Sequence, residues 1–223
     1  MSAIWFFEDV NLFKVLCPHK FAGFKQNHSF DTYDKKDYIY FEQDTSNKVF
    51  VIEKGKVKVG YYTEEGQEVV KAILSKGELF GEKAMLGEEK REEFAQALTD
   101  NTAICPIGVD TMHDLMRQNQ NFSIKIYKFI GFRFKKLERR LELLLFKDAK
   151  TRLLEFLEDL FREYGSKSKT SSDRVIKHPY TQGDIASLIG TSRPTLNILL
   201  NELKEDQLID FNRKEIRLYY KSA

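Results

Sequence analysis

The sequence predicts an α+β protein in three parts: an N-terminal β jelly-roll barrel, one long amphipathic helix and a C-terminal winged helix-turn-helix. Three observations carry that expectation. Residues 28–110 hold short apolar or alternating segments separated by turn signals, the pattern of a barrel or jelly roll. Residues 111–146 carry a heptad-spaced apolar seam. Beyond residue 180, two short helix patterns meet at a glycine and are followed by a hairpin pattern. The expected boundaries are 1–110, 111–146 and 147–223.

In the first part, residues 10–16 and 20–26 read as short leading helices. Strands are expected at 37–41, 48–53, 56–62 and 68–74. The turns between them fall at 44–47, at Lys54-Gly55 and around Gly66. The segment Gly77-Glu-Leu-Phe-Gly-Glu82 comes next. Its glycines let backbone approach a ligand, and a short helix beginning there would turn its first amides toward an anion.

In the long helix, Tyr127, Ile130, Phe134, Leu137, Leu141 and Leu144 recur at alternating intervals of three and four residues. Lys125, Lys128, Arg133, Lys135, Lys136, Arg139 and Arg140 surround the seam, whereas Ile126, Leu143 and Leu145 are expected to pack inward. A seam of this kind pairs two copies of a helix, so a parallel homodimer is expected. A further helix is expected over 148–160 with Leu153, Leu154, Leu157 and Leu160 inward, which makes Phe146-Lys147 the hinge. Residues 165–173 are Ser- and Lys-rich and read as a loop, followed by a short strand at 175–178.

Thr181 and Asp184 have the spacing of a capping box, and Ile185, Leu188 and Ile189 give the helix after them one apolar face. Gly190 ends it, because glycine alone takes positive φ without strain. Ser192 then caps a second helix with Pro194 in its first turn. Leu196, Leu199, Leu200 and Leu203 form its buried stripe, leaving Arg193, Thr195 and Asn197 to reach outward. Arg and small polar residues at the start of a helix are what a major-groove reader needs. Leu208, Ile209 and Phe211, then Ile216, Leu218 and Tyr220, flank a turn at Asn212-Arg213-Lys214. This is a wing, with Arg213 and Lys214 placed to meet phosphates.

Composition narrows the classes. The 223 residues are 42% apolar, enough for real cores. Residues 1–110 carry 14 Lys and Arg against 19 Asp and Glu, a net of −5, and the remainder carries +7. The basic excess falls on the half expected to meet phosphates. No apolar run is long enough to cross a bilayer and the start lacks a secretory pattern, so a cytoplasmic protein without a membrane partner is expected. Cys17 and Cys105 make no disulfide framework or metal spacing, and too few cysteines are present for an Fe–S cluster. His19, His28, His113 and His178 sit in no haem-ligating motif. No nucleophile–base set or phosphate-binding loop is present, so neither an enzyme nor a cofactor is expected.

The helix-turn-helix and wing resemble those of the Crp/Fnr transcription regulators, and the resemblance spans nearly the whole chain. It is carried by Ser192-Arg-Pro-Thr195, which keeps the family's Ser-Arg-x-Thr, and by Gly77-Glu-Leu-Phe-Gly-Glu82, which looks like the start of a cyclic-nucleotide phosphate cassette. The resemblance implies a homodimer on an operator in double-stranded DNA, with RNA polymerase as a protein partner and a small-molecule effector not identified by the sequence. Arg193 would read a guanine edge, Ser192 and Thr195 would hold phosphate or a neighbouring base, and Thr181 and Gln182 would touch the backbone. The family's catabolite activator places a second Arg where Ile198 stands, which implies a different operator. It also implies an effector pocket formed by Gly77, Phe80, Gly81 and Glu82.

Two departures argue against cyclic AMP. Members that respond to it follow the cassette with an Arg-Ser pair on the cyclic phosphate, and threading residues 82–102 without a gap puts Glu92 and Glu93 there. They also place Thr-Ser on the long helix, where Leu137 and Glu138 are expected to match. Arg91 takes the phosphate role instead if the threading slips by one residue. A protein-interaction module is the other alternative; steep salt dependence of binding would distinguish DNA from it.

Overall fold

The computed structural model describes residues 30–167, 174–213 and 215–219. The expected leading helices, Cys17, His19, His28, Lys214 and Tyr220 lie outside these residues. The chain divides into two compact units, one within Phe7–Lys135 and one within Lys136–Ala223.

The first unit is built on eight strands: β1 (Asp31–Tyr33), β2 (Tyr38–Tyr40), β3 (Lys48–Lys54), β4 (Lys56–Tyr62), β5 (Glu68–Ser75), β6 (Leu79–Phe80), β7 (Phe94–Ala97) and β8 (Thr102–Gly108). They form two antiparallel four-stranded sheets, ordered β1-β8-β3-β6 and β2-β7-β4-β5. Two facing sheets rather than one closed barrel give a jelly roll. Side-chain alternation along β3 explains the layering. Phe50 and Ile52 join Val57, Leu74, Phe80 and Ile104 between the sheets. Val49 and Val51 face the other way and pack with Cys105, Met112, Phe122, Ile126 and Phe129 under helices α1 (Val109–Gln118) and the start of α2 (Gln120–Phe146).

Strand β4 matches its expected span and β2, β3 and β5 match within a residue or two. Strands β1, β6, β7 and β8 were not individually legible. Pro106 interrupts the strand pattern of β8, but β1 pairs only with Thr102–Ile104, so Pro106 lies on a flank that does without an N–H.

Helix α2 runs 27 residues. Ile126 and Leu143 are buried as expected, but Leu145 is exposed, because two residues from Leu143 turns it to the far side of the helix.

In the second unit, α3 (Ala149–Tyr164) follows an Asp148 cap that accepts from the Thr151 amide, so the chain breaks at the expected hinge. Helices α4 (Gln182–Ile189) and α5 (Arg193–Glu205) follow β9 (Gly165–Lys167) and β10 (Arg174–Lys177), and β11 (Ile209–Phe211) and β12 (Glu215–Leu218) end the fold. The sheet order is β11-β12-β10-β9. The opening of the expected 165–173 loop is instead a strand. Gly165 pairs with Ile176, and a side chain there would meet Phe161 at 2.2 Å, so the glycine lets the strand pass close over α3.

Candidate nucleic-acid interface and effector pocket

The helix-turn-helix is assembled from short-range bonds. The Thr181 hydroxyl accepts from the Asp184 amide at 3.1 Å, and the Asp184 carboxylate accepts from the Thr181 amide at 2.7 Å. Gly190 ends α4 at φ 70°, and the Thr191 amide closes the turn onto the Ala186 carbonyl at 2.9 Å. Ser192 caps α5 by accepting from the Thr195 amide, and the two hydroxyls share a further hydrogen bond of 2.8 Å. Leu196, Leu200 and Leu203 are buried and Leu199 half-buried, so α5 docks on its apolar stripe.

The outer surface of α5 then follows. Ser192, Arg193, Pro194, Thr195 and Asn201 are exposed, Asn197 is half-buried, and Ile198 is 59% exposed. Thr181 is exposed and Gln182 half-buried at the start of α4. Arg213 is exposed at the tip of the β11–β12 hairpin, where Asn212 accepts from the Glu215 amide at 3.0 Å. The expected DNA-facing residues of both helices are thus at helix starts and accessible. The hydroxyls of Thr181, Ser192 and Thr195 also serve as caps.

Two arginines whose partners the sequence reading did not identify stiffen this motif. Arg152 donates to the carbonyls of Ile189 at 2.7 Å, Gly190 at 3.1 Å and Lys147 at 2.7 Å, joining the turn to the hinge. A cation in the opening turn of α3 opposes the helix dipole, and that misplacement is the signal of a tertiary role. Arg140 of α2 donates to the Ser187 carbonyl at 3.2 Å. Leu144, expected only in the seam, sits over the turn, and a side chain at Gly190 would come within 2.5 Å of its methyl.

His178 is buried between β10 and α4 in the chain and stacks on Tyr180 with ring centroids 5.9 Å apart. Burial holds its imidazole below the ordinary value of 6.5.

Along α2, all six seam residues are accessible: Tyr127 66%, Ile130 53%, Phe134 63%, Leu137 65%, Leu141 56% and Leu144 42%. Such a continuous apolar stripe on one helix is unusual for a surface left in water.

In the β domain, Gly77 (φ 89°) turns the chain into β6, and Gly81 (φ 71°) starts a 3-10 turn at Glu82–Leu86. Phe80 is buried and stacks on Phe50 at 5.1 Å. Against this loop lies Arg91, 2% exposed. Its guanidinium donates to the carbonyls of Gly81 at 3.0 Å and Lys48 at 2.5 Å and rests 4.5 Å from the Tyr40 ring. Its Nε has no hydrogen-bond partner among the described residues, nor has the buried Tyr40 hydroxyl.

The carboxylates next to Arg91 are elsewhere. Glu92 is exposed and hydrogen-bonded to Lys83, whose ammonium holds the Glu92 carboxyl below its ordinary range; Glu93 is buried but paired with Lys71 at 2.7 Å. Of the three residues, Arg91 is the side chain that lies beside the glycine loop.

Glu82 is ion-paired with Arg133 of α2, which also donates to the Leu79 carbonyl at 3.2 Å. Burial lowers the pKa of Arg133 from its usual value. Leu137 and Glu138 lie one turn further along α2 and are exposed. Helical periodicity placed Arg133 only among the flanking cations, and nothing in it shows which backbone atom so long a side chain reaches.

Comparison with known proteins agrees with both parts. The family described as "Cyclic nucleotide-binding domain" matches residues 30–119, and "Crp-like helix-turn-helix domain" matches 151–220. The chain is 25% identical over 190 residues to a global nitrogen regulator of a Nostoc species, covering 85% of this chain and 84% of that one. It is 24% identical over 178 residues to a CRP-like cAMP-activated global transcriptional regulator of Mycobacterium tuberculosis, covering 80% and 78%. A solved structure of a CooA mutant from Carboxydothermus hydrogenoformans superposes with a TM-score of 0.74 at 26% identity, over 99% of this chain and 96% of that one. Among the described residues no helix is long and apolar enough to cross a membrane. With a cyclic nucleotide-binding domain ahead of a Crp-like DNA-binding domain, the chain belongs to the Crp/Fnr family of transcription regulators rather than to any class of enzyme.

Proposed function

We propose that the protein works in the cytoplasm as a homodimer that binds a specific DNA operator and acts on RNA polymerase, with an effector other than cyclic AMP. In this reading residues 1–110 form the effector domain, 111–146 the dimerisation helix and 147–223 the DNA-binding domain. The observation that carries it is the pairing of an exposed reading helix headed by Arg193 with an exposed heptad seam on α2. One seam holds two reading helices, and successive major grooves require them about 34 Å apart. In this reading Arg193 bonds a guanine edge, and Arg213 meets phosphate together with its sequence neighbour Lys214.

The test uses the full chain and duplexes selected from a random pool. Arg193→Ala should weaken the selected site by about 1–3 kcal/mol and relax one base position. Phe134→Glu with Leu141→Glu should yield monomers by ultracentrifugation and lose most operator affinity. Affinity that is flat with salt would instead identify a protein partner.

Against cyclic AMP stands Glu82, which the Crp/Fnr resemblance puts against the ribose, since Arg133 already holds it. One observation favours a second reading, a cyclic-nucleotide-responsive regulator: Arg91 is buried beside Gly81 with its Nε unused. Thermal melts with cyclic AMP and cyclic GMP decide. A ligand at 100 times its Kd stabilises the folded state by about 2.7 kcal/mol, a shift of several degrees, and no shift with either nucleotide retains the first reading.

A further inference from the structure

The operator-binding reading above leaves open what the middle of the reading helix recognises. At about 100° per residue, Ile198 lies opposite the stripe of Leu196, Leu200 and Leu203, so it stands at the crest of the outward face. Its exposure of 59% agrees with that placement. Pro194, one turn earlier and also exposed, lies beside it. Arg193 and Asn197 occupy one flank of this ridge and Glu202 the other.

A helix about 10–12 Å across fills a major groove about 12 Å wide. Its first turn, where Arg193 stands, and its crest then meet the edges of the bases. A side chain at the crest is therefore chosen for base edges. Ile198 has no donor or acceptor, so pressing it against a purine N7, a carbonyl oxygen or an exocyclic amine would strip water without replacing a hydrogen bond. One group displayed in the major groove is apolar: the C5-methyl of thymine.

We infer that Ile198, supported by Pro194, is a specificity-determining residue that reads the thymine methyl of one A·T pair in each half-site. The inference rests on the operator-binding reading, and it adds a base preference that a polar residue at the crest would not impose.

The experiment selects duplexes from a random pool with the wild-type full chain. Each thymine of the recovered site is then replaced by deoxyuridine, which removes the methyl and keeps the pairing. Binding of wild type and Ile198→Ala is read by gel shift. Ile198 is exposed and alanine is a stronger helix former, so the variant keeps its fold. At one thymine per half-site, wild type should lose about fourfold in affinity, the worth of one buried methyl. Ile198→Ala should be indifferent to that replacement and should select sites degenerate at that pair. The assignment is overturned if wild type selects a defined site that no deoxyuridine weakens. It is also overturned if Ile198→Ala suffers the same loss at the same thymine. A wild-type protein that selects no defined site would refute operator binding itself, and this assignment with it.

Discussion

At the reading helix, the bonds that shape the surface span three residues: the Thr195 amide to Ser192, and the two crossed bonds between Thr181 and Asp184. In the β domain, the loop after Phe80 is held by side chains that arrive from far along the chain. Arg91 reaches the Lys48 carbonyl, 43 residues away, and Arg133 reaches the Leu79 carbonyl, 54 residues away. The first surface is stiff before anything binds, because each cap is completed within its own turn. The second is stiff only through groups that, in the cyclic-nucleotide reading, a ligand would also want. A DNA contact can therefore be lost at α5 without loss of fold, whereas in that reading binding and stability in the β domain share Arg91.

Substitutions sharpen that contrast. The largest effect is expected from Arg91→Ala, which empties a buried site and strands the carbonyls of Gly81 and Lys48, costing about 3 kcal/mol by calorimetry. Arg91→Met should recover the part of that loss due to the emptied site but not the part due to the two carbonyls, which it also leaves unpaired. Gly190→Val comes next, at about 2 kcal/mol or more. It combines a β-branched residue at φ 70° with a clash on Leu144, and it should lower the unfolding midpoint of the second unit. Thr181→Ala removes half of the capping box and should cost about 1 kcal/mol in a urea titration.

The smallest effect is expected from pH. Burial depresses the folded pKa of His178 below 6.5, with the Tyr180 backbone and then the Asp184 carboxylate opposing. Above 6.5 both folded and unfolded chains hold it neutral, and its contribution is complete. As pH falls below 6.5 the unfolded chain takes up the proton first, so stability declines until the folded pKa is passed. His178→Phe should flatten that slope in melts between pH 7 and pH 5, and an unchanged slope would assign it to other groups.

The same contrast explains what the sequence revealed. Thr181, Asp184, Gly190, Ser192 and Pro194 act on atoms a few residues away, so their pattern is legible without a fold. Strand β4 was legible because Lys56–Tyr62 alternates and is bracketed by turns. By contrast, Phe94–Ala97 is too short and too small-sided to show a period, and the β9 strand hides in a Gly- and Ser-containing stretch that pairing with β10 organises. Beside the glycine loop, Arg91 is buried and Glu92 exposed, a difference that two neighbouring charged residues in a polar run do not show in sequence. Arg133 and Arg140 were read only as charge around the seam, and Arg152 was not read at all, because the length of an arginine conceals its destination.

Arg152 has a mechanical meaning beyond its three hydrogen bonds. It bolts the end of α4 to the residue at which α2 gives way to α3, so the joint and the turn cannot move independently. A twist applied at Phe146-Lys147 is then delivered to the whole helix-turn-helix as one rotating piece instead of dissipating as bending at Gly190. Loosening that bolt with Arg152→Ala would let the turn at Gly190 bend without the hinge following it.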